Sequence, residues 1–141
     1  MANGNPAGAL AVIDFEASCL PEHGQSYPIE VAVARIDGEN RAWLIRPLRA
    51  WEHWDWSQEA EALHGISRAM LDCDGLPASQ VLAEMIEFVG DCAVYSDAEL
   101  DEYWLEVLCQ GLAAALPFPI RYLGEWMVEH GFTRPQVVAA L

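Results

Sequence analysis

The sequence predicts an α/β fold in which helices flank a mixed five-stranded sheet. Three apolar or β-branched segments follow one another with short connections, which is typical of an antiparallel meander. Further short apolar segments then alternate with stretches of helical periodicity, which adds parallel strands to the sheet. At 141 residues, the chain has room for one domain of this kind.

The strands are predicted from short apolar runs bounded by polar or turn-forming residues. An Asp-Gly-Glu-Asn turn at residues 37–40 favours reversal of the chain between the second and third strands. The five predicted strands comprise residues 10–14, 29–36, 41–46, 92–95 and 118–121.

Helices are expected where the apolar spacing changes to about 3.6 residues. Ser57 and Ser79 are the predicted N-caps of two of them, and Gly90 is the predicted end of the second. The fourth strand leads into a strongly amphipathic helix, with leucines and Trp104 on one face and glutamates on the other. The predicted helices comprise residues 58–63, 80–89, 98–112, 123–129 and a last one that is capped by Thr133.

Composition limits the location of the protein. No apolar run approaches the ~18–20 residues of a membrane span. The N-terminus lacks the basic region of a secretory signal, and residues 1–8 are expected to be a flexible lead to a domain at 9–141. The four cysteines form no C-x-x-C pair, which favours reduced thiols in the cytoplasm.

The charge limits the class of partner. Seven basic residues against 22 acidic ones give a net charge of −15, the wrong sign for a protein that neutralises many phosphates. This disfavours a long duplex as substrate. A site that grips a few nucleotides stays open, because bound metal ions would supply the local positive charge.

Two carboxylates end the first predicted strand. Side chains alternate along a strand, so Asp14 and Glu16 share one face while Phe15 points to the other. Paired carboxylates are suitable oxygen ligands for Mg²⁺. The pair alone is more typical of a solvated strand end.

A third carboxylate, Asp101, lies on the apolar face of its predicted helix, one turn before Leu105. It therefore needs a compensating partner, because an unpaired buried charge is costly. Metal coordination would supply one. Alternatively, Asp101 is an acidic first-turn residue that favours the helix dipole.

Two other segments permit a functional and a structural interpretation. His64 lies beside Gly65, which allows close approach of another chain, yet a histidine at a turn is commonly a capping or packing residue. The tryptophans of residues 51–56 either stack on bases or pack a long loop onto the core.

Three segments in order resemble the DEDD (DnaQ-like) 3′→5′ exonuclease superfamily, which has an RNase H-like fold. Residues 12–18, Val-Ile-Asp-Phe-Glu-Ala-Ser, are similar to its first motif. Residues 63–67, Leu-His-Gly-Ile-Ser, resemble its His-Gly-Ile-Thr element, and residues 94–105 resemble its second motif, with Asp101 at the catalytic position. The resemblance spans roughly residues 9–130.

The resemblance implies an RNase H-like exonuclease fold and hydrolysis at the 3′ end of single-stranded DNA or short RNA with two Mg²⁺ or Mn²⁺ ions. It implies Asp14, Glu16 and Asp101 as the catalytic metal ligands, with Asp14 bridging both ions. The implied substrate contacts are Phe15, Ala17, His64, Ser96 and Asp97. Single-stranded 3′ ends are the implied partner, and a homodimer, as in some relatives, is open.

One part of the family pattern is missing. Active members carry a His or Tyr, followed a few residues later by Asp, on a helix near the C-terminus. No Asp follows Asp101 here, and His130 has Pro135 five positions on. The domain is therefore expected to lack its C-terminal helix, either because the chain is shortened or because the element was lost. A catalytically inactive exonuclease-fold module used for binding is the second hypothesis, and an unrelated acidic α/β protein is the third.

Overall fold

The computed structural model describes residues 9–133 and 135–136. Over these residues the chain forms one five-stranded sheet with the strand order β3-β2-β1-β4-β5. The strands are β1 Leu10–Ala17, β2 Pro28–Arg35, β3 Asn40–Leu44, β4 Ala93–Ser96 and β5 Ile120–Tyr122. The predicted α/β class and all five predicted strands are confirmed.

The α-helices of the described region are α1 Gln58–His64, α2 Arg68–Asp74, α3 Ala78–Val89, α4 Leu100–Gly111 and α5 Leu123–Glu129. Single 3₁₀ turns occur at Pro21–His23 and Arg49–Trp51. Across the described ranges, no helix combines the length and the apolar character needed to cross a membrane.

Strands joined by short connections are antiparallel, and those joined by long helical connections are parallel. The first three strands form an antiparallel meander, whereas β4 pairs in parallel with β1 and β5 in parallel with β4. The pairing of β1 with β4 ends at Val12 opposite Tyr95. The second half of β1 therefore extends beyond β4 and leaves a gap beside it.

The two faces of the sheet differ in character. Cross-strand partners share a face, so Ile13 and Val33 lie together, as do Phe15 and Val31, and these four side chains are at most 3% exposed. They form the core with apolar residues of α3 and α4. The opposite face carries Asp14 and the pair Glu16–Glu30.

Of the two serines predicted as helix N-caps in this part of the chain, Ser57 is confirmed and Ser79 is not. The Ser57 hydroxyl accepts a hydrogen bond from the Ala60 N–H at 3.1 Å, as predicted. The predicted cap at Ser79 is wrong: the N-cap of α3 is Pro77, two residues earlier, and the helix begins at Ala78, because the fixed φ of proline suits the entry to a helix. Helix α2, which is capped by Ser67, was not predicted.

Two predicted segments lie wholly or partly outside the described residues. The flexible lead at residues 1–8 is one of them. The other is the last helix, which is described only at its start. There the Thr133 N–H donates to the Gln136 side-chain oxygen at 2.8 Å, and the Gln136 N–H donates to the Thr133 hydroxyl at 3.4 Å, which is a capping box.

Candidate metal centre and adjoining cleft

Three carboxylates meet at the exposed end of the central strand. One oxygen each from Asp14 on β1, Asp97 after β4 and Asp101 in the first turn of α4 lies within 4.8 Å of the others. Asp14 and Asp97 are exposed and Asp101 is buried. Asp14 and Asp101 were predicted as metal ligands, whereas Asp97 was predicted as a substrate contact. We call these three residues the carboxylate cluster.

Asp101 is 1% exposed and is held on both oxygens. Its Oδ1 accepts the backbone N–H of Phe15 at 2.9 Å, and its Oδ2 accepts a short hydrogen bond from the Ser96 hydroxyl. Because β1 extends past the end of β4, the Phe15 N–H has no strand partner on that side. Asp101 takes the place of that partner, and so the protein itself supplies part of the compensation that a buried carboxylate requires.

The carboxylates of the cluster repel one another. Burial raises the pKa of Asp101 to about 6, with a further increase from Asp14 and Asp97, although the bonds from Ser96 and Phe15 act in the opposite direction. Burial also raises the pKa of Asp14, and the charge of Asp97 adds to this effect. A cation among these oxygens would relieve both the desolvation and the repulsion.

Two glutamates extend the acidic surface along the sheet. Glu16 lies on the same face as Asp14 but outside the 4.8 Å cluster, although it was predicted as a ligand. Glu30 of β2 is paired directly with Glu16. The pKa of Glu16 is raised by burial and then by Asp14, Glu30 and Asp101, and the pKa of Glu30 is raised by burial and by Asp14.

Glu30 is a candidate functional residue that the sequence did not identify. Alternation along the second strand places it on one face together with Ala32. Only the strand register decides that this face is the one that carries Glu16. The sequence therefore shows which residues of the second strand share a face with Glu30, but it does not show which residues of the first strand lie opposite them.

A cleft of about 220 Å³ is lined by Glu16 but by none of the three residues of the carboxylate cluster. Its apolar lining includes Leu20 and Leu63, which are 41% and 91% exposed and form its rim. Ala17 and His64, both predicted substrate contacts, also line it. The remaining lining side chains are Cys19, His23, Ser57, Glu59, Ala60 and Trp104.

His64 ends α1 and has an oriented ring. Its Nδ1 accepts the Ile66 N–H at 3.0 Å, so in the neutral ring the proton is on Nε2. Burial lowers the pKa of His64, an effect that the carbonyl of Ala17 and the carboxylate of Glu61 only partly offset. Nε2 is itself buried, with no partner of full hydrogen-bond geometry among the residues that the structure describes. His64 thus combines a turn-closing role with a place in the cleft wall.

Two predicted substrate contacts, Phe15 and Ser96, have buried side chains that do not line the cleft. The Phe15 side chain is 3% exposed and packs in the core, so only its backbone faces the cluster. Ser96 is 1% exposed, and its hydroxyl is bonded to Asp101. Both residues orient Asp101, and neither side chain is available to a substrate.

The tryptophans of residues 51–56 pack onto the protein. Trp51 is 2% exposed and stacks on Tyr27 with 5.6 Å between ring centroids. Trp54 and Trp56 surround the same tyrosine at 6.4 Å. These contacts favour the packing interpretation of this segment over base stacking.

No protein-family model matches the sequence, and no curated protein matches it significantly. Solved structures do match. A 3′-exonuclease described for 3′-end-specific recognition of the histone mRNA stem-loop aligns over 95% of this chain and 53% of its own, with 18% identity and a TM-score of 0.72. A full-length 3′-exonuclease aligns over 72% and 52%, with 22% identity and a TM-score of 0.57.

Exonuclease I of E. coli, in complex with a dT13 oligonucleotide, aligns over 91% of this chain and 30% of its own, with 15% identity and a TM-score of 0.65. The chain thus spans about half the length of the first two structures and less than a third of exonuclease I. Because all three identities are low, these similarities establish the fold. The resemblance seen in the sequence is confirmed at that level, and the chain has the RNase H-like fold of the DEDD (DnaQ-like) 3′-exonucleases.

Proposed function

We propose that the chain is a metal-dependent 3′→5′ exonuclease that hydrolyses phosphodiester bonds at the 3′ end of single-stranded DNA or short RNA. The observation that supports this most is the carboxylate cluster at the open end of the central strand of an exonuclease fold. Nuclease neighbours alone would support only the fold, whereas the cluster adds a place for the chemistry.

The donor set fits Mg²⁺ or Mn²⁺. Both ions prefer carboxylate oxygens, and the three aspartates offer one such atom each within 4.8 Å of one another. The raised pKa values of Asp14 and Asp101 arise from burial and mutual repulsion, which a divalent cation offsets. Glu16, beside the cluster, is the fourth proposed ligand in a site for two ions.

The proposed roles follow from how each side chain is held. Divalent ions, when bound, supply a Lewis acid at the phosphoryl oxygens and an activated water. Asp101 is oriented by Phe15 and Ser96, so its carboxylate cannot turn away from the cluster. Asp14 presents its carboxylate from the rigid centre of the sheet.

The cleft next to Glu16 is the proposed place of the terminal nucleoside. At about 220 Å³ it is smaller than the ~300–1,000 Å³ of drug-sized pockets, which suits one small unit at a strand end. Its rim of Leu20 and Leu63 offers apolar surface to a base, and Ala17 and His64 complete the wall.

A directional cleavage assay tests this proposal. A single strand of DNA or RNA labelled at its 5′ end is incubated with the chain and Mg²⁺ or Mn²⁺. We expect a ladder of products shortened one nucleotide at a time from the 3′ end, which EDTA and Asp14→Asn abolish. Glu87→Gln, an exposed change on α3, is the matched control. Absence of mononucleotide release, both here and in a version extended through the third family motif, would overturn the proposal.

An inactive binding module is the second candidate function. It is favoured by the net charge of −15, which disfavours contact with many phosphates. This candidate is a module that keeps the exonuclease fold for binding or interaction, and it predicts no cleavage with Mg²⁺ or Mn²⁺. Cleavage by the 141-residue chain that is lost in Asp14→Asn would exclude it.

The state of the cysteines supports a proposal for the cellular compartment. Cys19 and Cys109 are free, buried thiols, which suits a reducing compartment such as the cytoplasm. Homodimerisation stays a prediction, which light scattering after size-exclusion chromatography checks.

A further inference from the structure

The loop between β1 and β2, residues 18–27, forms one wall of the cleft. Cys19, Leu20 and His23 of this loop line it, and apart from one 3₁₀ turn the loop has no regular structure. The position of this wall therefore depends on specific hydrogen bonds. Its ends are fixed, because the Ser18 N–H donates to the Tyr27 carbonyl at 3.0 Å and the Gln25 N–H donates to Asp55 at 2.7 Å.

The middle of the loop is held from α4. The indole N–H of Trp104 donates to the Ser26 hydroxyl oxygen at 2.9 Å, and the Ser26 hydroxyl donates to the Cys19 carbonyl. We call this pair of bonds the Ser26 bridge. Ser26 is 0% exposed, so both bonds are shielded from water and a lost partner is not replaced by solvent.

The same turn of α4 holds the carboxylate cluster. Trp104 follows Asp101 by three residues, and Asp101 is bonded to the backbone of Phe15 on β1. The two contacts therefore come from a single turn of α4. Asp101 binds β1, and Trp104 binds the loop that forms the cleft wall. The Trp104 ring also lines the cleft directly.

We infer that Ser26 and Trp104 are positioning residues, which set the separation between the cleft wall at Cys19 and Leu20 and the carboxylate cluster, and so hold the terminal nucleoside in place for cleavage. The inference rests on the proposed function. Because Asp55 and Tyr27 hold the ends of the loop independently, loss of the bridge frees the wall without unfolding the loop.

Two substitutions test the bridge with a matched control. Ser26→Ala removes the central hydroxyl, and Trp104→Phe removes the indole N–H but keeps an aromatic ring in the cleft. Trp43→Phe removes the indole N–H of another buried tryptophan, which is bonded to Glu84 at 3.3 Å and does not line the cleft. Each full-length variant is titrated with Mn²⁺ alone, and with adenosine and thymidine 5′-monophosphates in the presence of Ca²⁺.

We expect nucleotide affinity to fall about 5- to 10-fold in Ser26→Ala and in Trp104→Phe, with Mn²⁺ affinity unchanged. The double variant is expected to lose no more than either single variant, because the two bonds act as one unit. Trp43→Phe should bind nucleotide as the wild type does.

The outcomes separate the two proposals. Unchanged nucleotide affinity in both variants, additive losses in the double variant, or an equal loss in Trp43→Phe would overturn the bridge alone. A wild-type chain that binds neither Mn²⁺ nor nucleotide would contradict the proposed function, and the inference would fail with it.

Discussion

The carboxylate of Asp101 accepts the backbone N–H of Phe15 at 2.9 Å, across 86 residues of sequence. This bond joins α4 to the central strand beyond the point where the pairing of β1 with β4 ends, while β1 stays paired with β2 on its other side. It therefore places a buried carboxylate beside Asp14 and Asp97 at the open end of the sheet.

Asp101→Asn is expected to stabilise the metal-free protein at pH 7.5. The folded-state pKa of Asp101 is about 6 and the reference value is 3.8, so protonation favours the folded state. Its stabilising contribution is fully present below about pH 4 and is lost as the pH rises through about 6. Asparagine stays neutral and still accepts the Phe15 N–H, so the free energy of unfolding should rise by on the order of 2 kcal/mol.

Urea unfolding with EDTA at pH 4 and pH 7.5 measures this difference. The gap between variant and wild type should close near pH 4. Asp74→Asn, an exposed change at the end of α2, is the control and should shift neither value. A less stable Asp101→Asn protein at pH 7.5 would contradict the repulsion inferred for the cluster.

Mn²⁺ is expected to raise the melting temperature more at pH 7.5 than at pH 5.5. Protons compete with the metal for Asp101, whose pKa is about 6, and for Asp14 and Glu16, whose pKa values are also raised. Calorimetry in buffers of different ionisation enthalpy should show proton release on binding. A Tm increase of equal size at both pH values, or one retained in Asp14→Asn, would argue against this site.

The substitution Glu30→Gln tests whether Glu30 binds the metal directly or affects it only through its negative charge. Glu30 faces Glu16 across the strands but lies outside the carboxylate cluster. Removing its charge should weaken Mn²⁺ binding only about 2- to 5-fold, whereas Asp14→Asn should weaken it well beyond tenfold. The measurement is calorimetric titration of both variants at pH 7.5. Comparable losses in the two would make Glu30 a ligand itself.

Binding should depend little on oligonucleotide length. Arg41 pairs with Glu84, and Arg68 lies over the Trp56 ring, and no arginine lines the described cleft. With Ca²⁺ to suppress turnover, anisotropy should show similar affinity for strands of 4 and 20 nucleotides. At about −0.7 per phosphate, contact with one or two phosphates predicts a logarithmic salt slope no steeper than about −1.5. A steep slope with a large gain in affinity for the longer strand would reveal an extended nucleic-acid surface.

Much of the fold was predictable because its signals are local. The β-branched segments and short turns predicted the meander, and the apolar stripe of α4 placed Asp101 on the buried side of its helix. Cap prediction succeeded at Ser57, where a serine precedes the helix directly. It failed at Ser79, where Pro77 sets an earlier start.

The candidate site was predictable in its members and less so in their roles. Asp14 and Asp101 meet as expected, yet Asp97 joins them while Glu16 lies beside the cluster. Phe15 and Ser96, expected at the substrate, instead hold Asp101 in place. Each difference depends on distances between elements far apart in the sequence, which no local pattern encodes.

Four features follow from the order of residues without any coordinates: the class of fold, the strand that carries Asp14 and Glu16, the helix that buries Asp101, and the net charge of −15. Periodicity and composition are sufficient for these, because they concern neighbours along the chain. Three other features depend on how the elements pack in space. Glu30 is paired with Glu16, β1 extends past its pairing with β4, and Ser26 connects Trp104 to the cleft wall. Strand register and helix placement set these contacts, and both are properties of the packed whole.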